Sequence, residues 1–183
     1  MFFLCHCIIE DSTVNYSEYL AIFIAILALS VSVWSQISQR NHNKKSVLPA
    51  GHIQLDKSLH RLQIKIVNKG CGPMKIINFT ADRNGIKHKN IVYHLPKSIV
   101  PDDRLKYIKF QTHSEPEGYW LLPGDELILL KIEGDKDDPI FVEKREIIRS
   151  ILCEITTHLT YADVYGKTHP EFSKSLDWYK RTV

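Results

Sequence analysis

Residues Tyr19 to Gln39 read YLAIFIAILALSVSVWSQISQ, a run without a single charged side chain. A helix rises roughly 1.5 Å per residue, so about 20 apolar residues are enough to cross the ~30 Å hydrocarbon core of a bilayer. Tyr19 and Trp34 lie toward the ends of the run, where interfacial aromatic residues are common. The segment is therefore predicted to be a transmembrane helix.

Two other interpretations of this segment are a buried core helix and a cleaved signal peptide. A core helix of this length normally carries a polar stripe, whereas serines such as Ser30 and Ser32 can bond back to helical carbonyls. A signal peptide begins with a positive region and ends at small residues, but residues 1–18 contain no Lys or Arg and Trp34 lies where small residues are expected. The pattern favours a retained helix.

The charges that flank the segment predict its orientation. Residues 1–18 carry acids and no Lys or Arg, whereas Arg40, Lys44 and Lys45 follow the segment closely. Because positive flanks stay on the cytoplasmic side, the N-terminus is predicted outside and residues 40–183 in the cytoplasm. Arg40, Lys44 and Lys45 are then expected at the membrane surface, against its anionic lipids.

The rest of the chain has the length and composition of one domain. All 24 Lys and Arg lie in residues 40–183 together with 18 of the 21 acids, which gives that part a formal charge of +6. This bias fits an ordinary surface or adhesion to the leaflet, and it is too weak to indicate nucleic-acid binding. The cysteines form no CxxC pair, and Cys71 and Cys153 are expected to be buried thiols in a reducing compartment.

Alternating apolar and polar residues predict short strands. In HRLQIKIVN, residues 60–68, Leu62, Ile64 and Ile66 are expected to point inward, and Arg61, Gln63 and Lys65 outward. Similar patterns predict strands at 52–55, 74–81, 86–93, 105–111, 126–133, 153–161 and 169–173.

One helix is predicted outside the apolar segment. It begins at Asp138 and Pro139, a capping residue followed by a residue suited to the first helical position, and it ends near Leu152. Its apolar face is expected to comprise five residues, namely Ile140, Phe141, Ile147, Ile148 and Ile151.

The fold class that follows is mainly β, with one N-terminal transmembrane helix and one short helix. Short strands separated by turns roughly every 8–12 residues are typical of an antiparallel β-sandwich, and the βαβ alternation of a parallel sheet is missing. The predicted boundaries are a tail at 1–18, the transmembrane helix at 19–39, a basic linker at 40–50, the β-sandwich domain at 51–175 and a loosely ordered tail at 176–183.

The turns of this domain carry a resemblance to a known group of proteins. They are Asn68-Lys69-Gly70-Cys71-Gly72-Pro73, Asn84-Gly85, Leu122-Pro123-Gly124-Asp125 and Tyr161-Ala162-Asp163-Val164-Tyr165-Gly166. In this layout after a single apolar helix, the chain resembles small single-pass bacterial inner-membrane proteins of unknown function. The resemblance implies a cytoplasmic immunoglobulin-like β-sandwich and carries no catalytic residue with it.

The sequence offers little enzyme chemistry. It lacks a P-loop and the GxSxG, HExxH and GxGxxG motifs. His158, Asp163 and His169 are close in sequence, but polar residues on the open face of a sheet explain them better than a metal site. Cys153 and His158 are five residues apart and would lie on opposite faces of one strand. We therefore predict no catalytic residues, metal or cofactor, and a protein that is not an enzyme.

The loop around residue 119 is the best candidate for recognition. Glu115, Glu117, Tyr119 and Trp120 combine acids with aromatic residues, which often lead binding surfaces. The alternative is that Trp120 packs at the edge of the core.

The expected function is a membrane-tethered, non-enzymatic interaction or sensor module in a stress or defence system. Its expected partners are the lipid bilayer, another protein and further copies of itself, with no nucleic acid. The main alternative is a ligand-gated membrane effector that binds a small molecule such as a nucleotide and oligomerises through its helix. A hydrolase with an unrecognised site is a third alternative.

Overall fold

A computed structural model describes residues 16–97, 109–113 and 115–180 of the chain. The chain forms two compact units, which divide between Asn43 and Lys44.

Helix α1, Tyr16–Ser46, is 31 residues long and none of its side chains is buried. Among the described residues it is the one helix long and apolar enough to cross a membrane. Inside it, the Ser30 hydroxyl donates to the Ile26 carbonyl at 2.8 Å, so this polar group is satisfied within the helix.

The helix is longer than the predicted span. Residues 40–46, which were predicted to belong to a linker, are helical, and the irregular chain begins only at Val47. No Pro or Gly interrupts residues 40–46, whereas Pro49 disfavours helical geometry at Leu48. Helix α1 therefore continues to Ser46 and ends before Pro49.

The second unit is built mainly of β-strands. Those in the described residues are β1 Gly51–Lys57, β2 Arg61–Asn68, β3 Met74–Arg83, β4 Ile86–His88, β5 Lys109–Thr112, β6 Trp120–Leu121, β7 Glu126–Glu133, β8 Ile155–Asp163 and β9 Phe172–Ser175. Helix α2, Pro139–Leu152, lies between β7 and β8 in the chain, and 3₁₀ turns form at Ile91–His94 and Asp177–Lys180.

The strands form two antiparallel sheets. One sheet has the order β1-β2-β7-β5, and the other has the order β4-β3-β8-β9 with β6 also paired to β3. In the first sheet, Ile64 of β2 lies between Leu55 of β1 and Leu130 of β7. The predicted mainly β fold with antiparallel sheets and one short soluble helix is confirmed.

Both sheets and α2 contribute to one hydrophobic core. Ile64, Leu130, Phe79 and Leu159 are all at most 1% exposed, and Ile148 of α2 is 2% exposed. Burying a side chain of this kind contributes about 1.5–3 kcal/mol, so these residues carry much of the stability. The inward register predicted for Leu62, Ile64 and Ile66 is confirmed.

The C-terminal residues differ most from the prediction. Leu176 and Tyr179 are both fully buried, so the domain continues to Lys180 where a loose tail was predicted from residue 176. The Tyr179 hydroxyl donates to the Gln63 carbonyl at 2.7 Å. Gln63, predicted to point outward, is accordingly only 6% exposed.

The strand predicted at 86–93 is also shorter in the structure. It ends at His88, because the Asn90 side chain accepts a hydrogen bond from the Val92 amide at 2.9 Å and caps the 3₁₀ turn Ile91–His94. For the strand predicted at 105–111, residues 105–108 lie outside the described part of the chain, and β5 occupies Lys109–Thr112.

Helix α2 begins as predicted but buries a different face. The Asp138 side chain accepts from the Ile140 amide at 2.9 Å, and Pro139 takes the first helical position. Phe141, Ile148, Ile151 and Leu152 are buried, whereas Ile140 and Ile147 are exposed, so the predicted five-residue face is wrong at two positions. The buried residues fall at helical spacing, which leaves the other two isoleucines on the outer side.

Candidate functional site

The predicted recognition loop leads into an edge strand. In β6, Trp120 pairs with Lys75 and Leu121 with Met74, at the start of β3. Leu121 is 4% exposed and holds the strand against the core. Tyr119 and Trp120 remain 46% and 50% exposed, so both rings are available to a partner.

The backbone that presents these rings is held by hydrogen bonds. The Gly118 amide donates to the Ile76 carbonyl, and the Ile76 amide donates to the Tyr119 carbonyl, both at 2.9 Å. Gly118 has φ +83°, a conformation that glycine adopts without steric cost. Because this backbone is already ordered, little conformational entropy remains to be lost when a partner binds.

Two side chains orient the aromatic rings. The Lys75 ammonium lies 5.9 Å from the centre of the Trp120 ring, a cation–π distance. The His113 ring stands edge-on to Tyr119, with 4.4 Å between ring centres and an interplanar angle of 86°. These contacts place a positive charge beside the exposed indole.

The two acids of the predicted site have different surroundings. Glu117 accepts a hydrogen bond from Lys89 at 2.8 Å, and this hydrogen bond raises the pKa of Lys89. Glu115 is exposed. Glu117 is therefore engaged in a surface ion pair, and the aromatic residues are the stronger part of the predicted set.

Two further exposed apolar side chains lie next to this backbone. Ile77 is the extra residue at an irregularity between Ile76 and Asn78 in the β3–β8 pairing, and it is 44% exposed. Leu122, directly after β6, is 57% exposed. We call Ile77, Tyr119, Trp120 and Leu122 the aromatic edge.

Sequence reasoning missed Ile77 and Leu122. A signal for Ile77 was present, because Ile76-Ile77 breaks the alternation expected in a half-buried strand. No comparable signal distinguishes Leu122 from the buried Leu121 beside it.

A buried asparagine is hydrogen-bonded to the backbone at the end of β6, next to the aromatic edge. The Asn68 side chain donates to the carbonyls of Leu121 at 3.0 Å and Gly72 at 2.7 Å. Its oxygen accepts from the amides of Ala50 at 3.2 Å and Gly70 at 3.1 Å. Asn68 therefore ties the end of β6 to the turn after β2 and to the chain that leads into β1.

The turn after β2 requires glycine at position 72, where a Cβ atom would overlap the Val47 carbonyl. The amides of Cys71 and Gly72 both donate to the Leu48 carbonyl, at 3.1 and 3.4 Å. Cys71 itself is exposed, which corrects the prediction that it is buried.

The histidine and carboxylate residues considered for chemistry are not gathered into one site. His158 uses one nitrogen, Nδ1, for both Glu171 at 2.8 Å and Ser173 at 2.9 Å. A catalytic triad needs the nucleophile and the acid on opposite ring nitrogens, so this arrangement is a surface hydrogen-bond cluster. The hydrogen bond from His158 lowers the pKa of Glu171.

Asp163 and His169 lie together in the turn after β8. One Asp163 oxygen accepts from the amides of Tyr165 and Lys167, both at 2.9 Å, and the other is 3.8 Å from His169 Nε2. His169 stacks on Tyr161, with 5.1 Å between ring centres. Within the described residues no three potential metal ligands form a group.

Cys153 caps the end of α2 and does not share a strand with His158. Burial raises the pKa of its thiol, which disfavours the thiolate that a nucleophile requires.

The basic residues predicted at the membrane surface lie in the last turns of α1. Arg40, Lys44 and Lys45 are all exposed. Positive charge at this end of a helix is favourable, because the helix dipole places partial negative charge there.

No protein-family model matches the chain, and a search of curated proteins gives no match either.

Proposed function

We propose that this protein is a single-pass, membrane-tethered interaction module that acts without catalysis. The observation that carries the proposal is the aromatic edge, where Tyr119 and Trp120 are half-exposed on a backbone held by hydrogen bonds. Exposed aromatic residues on rigid elements are typical anchors of protein–protein interfaces, where a few such side chains supply most of the binding energy.

The partner that fits this edge is a protein with an apolar pocket and a nearby acidic group. The pocket would receive Trp120 or Tyr119, and the acid would meet Lys75, whose ammonium already lies over the indole. The surface around the aromatic edge has too little positive charge to bind a nucleic-acid backbone, which requires clustered Lys and Arg.

The proposed location is the bacterial inner membrane, with the N-terminus outside and the β domain in the cytoplasm. Its support is the apolar character of α1 and the position of Lys44 and Lys45 in its last turn. Self-association through α1 remains part of the proposal.

We infer that the two sheets form an immunoglobulin-like sandwich. If the strands other than β6 are lettered A, B, C, C′, D, E, F and G in chain order, the first sheet has the order ABED and the second C′CFG. The immunoglobulin fold consists of sheets ABED and CFG, with C′ added beside C in some members. In this scheme β6 is an additional edge strand and α2 forms the E–F connection.

A photoreactive amino acid at position 122 of the full chain tests the proposed interaction in membranes. We expect a discrete protein adduct on irradiation, because Leu122 follows Tyr119 and Trp120 within three positions of the chain and is exposed. The double change Tyr119→Ala and Trp120→Ala should abolish this adduct while the thermal melt of the domain is retained.

The matched control is the same photoreactive residue at position 86, since Ile86 is also exposed and lies on the same sheet in β4. It should give no such adduct. An adduct at position 122 that survives loss of both aromatic rings, or no adduct at all, contradicts the proposal.

A further inference from the structure

A small cleft opens between strands β1 and β9, which are edge strands of different sheets. Its volume is about 220 Å³, and its lining residues are His52, Ile53, Gln54, Leu55, Lys174 and Trp178. None of these side chains is acidic. The cleft lies on elements other than β3 and β6, so it is separate from the aromatic edge.

Lys174 is the one lysine or arginine among the residues that line the cleft. Lys174 is half-buried, and within the described residues it has no carboxylate partner, unlike the half-buried Arg61 and Lys65, which pair with Asp56 and Glu126. Lys174 is therefore available to pair with an anion that enters the cleft.

The pKa of His52 agrees with a positive potential in the cleft. Its pKa is lowered, first by burial and then by the charges of Lys69 and Lys174. An anion in the cleft would offset the same charges.

Aromatic side chains form the walls. Trp178 lies in the C-terminal 3₁₀ turn, where its ring is 5.4 Å from the buried Tyr179. The Leu176 amide donates to the Ile155 carbonyl at 2.9 Å and fixes the start of this turn. His52 packs against Phe172, with 5.1 Å between ring centres. The walls are therefore formed before any ligand arrives.

We propose that this cleft binds a small planar organic anion, with the ring against Trp178 and the negative group at Lys174. Gln54 supplies an amide that can donate to or accept from the ligand. A volume of about 220 Å³ equals roughly seven water molecules, which fits a single ring with one anionic group. Such a site gives the tethered domain a ligand to sense, which is independent of the protein interaction proposed above.

Calorimetric titration of the full chain in detergent micelles tests this proposal with three probes. Benzoate has both a ring and a charge, benzamide has the ring without the charge, and inorganic phosphate has the charge without a ring. We expect saturable binding of benzoate at one site per chain, with benzamide and phosphate at least about tenfold weaker. Absence of benzoate binding, or equal binding of benzamide, overturns the proposal.

Two matched variants locate the site. Lys174→Gln removes the charge and keeps most of the side-chain shape, so it should weaken benzoate binding by at least about tenfold with an unchanged thermal melt. Lys87→Gln removes an exposed charge elsewhere on the same sheet and should leave binding unchanged. If benzoate binds Lys174→Gln as tightly as the unchanged chain, the cleft is not the site.

Discussion

Asn68 is fully buried, and each polar atom of its side chain is hydrogen-bonded, the oxygen to two amides and the nitrogen to two carbonyls. Asn68→Ala leaves these four backbone groups without their partner in a buried place. We expect the free energy of unfolding to fall by about 3 kcal/mol, measured by denaturant titration. Asn78→Ala, at an exposed position of β3, should cost less than about 0.5 kcal/mol. Similar losses in the two variants would show that the Asn68 bonds contribute little.

Tyr179 links the C-terminal turn to β2 through its hydrogen bond to the Gln63 carbonyl. Burial raises its pKa far above the ordinary value. As the pH rises, the unfolded chain therefore loses the Tyr179 hydroxyl proton before the folded chain does. The contribution of Tyr179 to the free energy of unfolding is fully present below pH ~10 and is lost as the pH rises further.

Tyr179→Phe should lower the free energy of unfolding at neutral pH by about 1 kcal/mol, because one buried hydrogen bond is lost. Between pH 9 and 11, the free energy of unfolding of this variant should also fall less steeply than that of the unchanged chain, because the variant lacks the titrating phenol. Tyr119→Phe, at an exposed ring, is the control and should change neither quantity. Parallel pH profiles for Tyr179→Phe and the unchanged chain would contradict the assignment.

Strand β2 lies between β1 and β7 in the first sheet, and its register decides which of its side chains enter the core. Ile64 is fully buried between Leu55 and Leu130, whereas the neighbouring Lys65 is half-buried and pairs with Glu126. Ile64→Asp places an unpaired carboxylate in the core and should abolish the cooperative thermal transition. Lys65→Gln loses only a surface ion pair and should cost about 1 kcal/mol or less. Equal melting of the two variants would mean that the register is wrong.

The elements also show where sequence is sufficient and where it is not. Alternation predicts the inward side of β2, and the Asp138-Pro139 pair predicts the start of α2, because both signals are local. Burial of Tyr179 depends on Gln63, more than a hundred residues earlier, and no local pattern reports such a contact. The irregularity at Ile77 likewise depends on pairing with β8.

At the scale of the whole molecule, one of the two candidate surfaces could be predicted from the sequence and the other could not. Tyr119 and Trp120 could be selected from sequence, because adjacent aromatic residues in a polar loop are unusual. The cleft could not be predicted from the sequence, because β1 contributes residues 52–55 and the C-terminal region contributes residues 174 and 178. Only the arrangement of the two sheets brings those strands to neighbouring edges.

The membrane tether is the premise of the proposed function, and fusion reporters at the C-terminus of the full chain test it most directly. A fluorescent protein that matures only in the cytoplasm should fluoresce when fused after Val183, and alkaline phosphatase fused there should be inactive. This result follows from the basic residues Arg40, Lys44 and Lys45 at the end of α1. Active phosphatase with a dark fluorescent fusion, or a fusion protein recovered in the soluble fraction, would contradict the account.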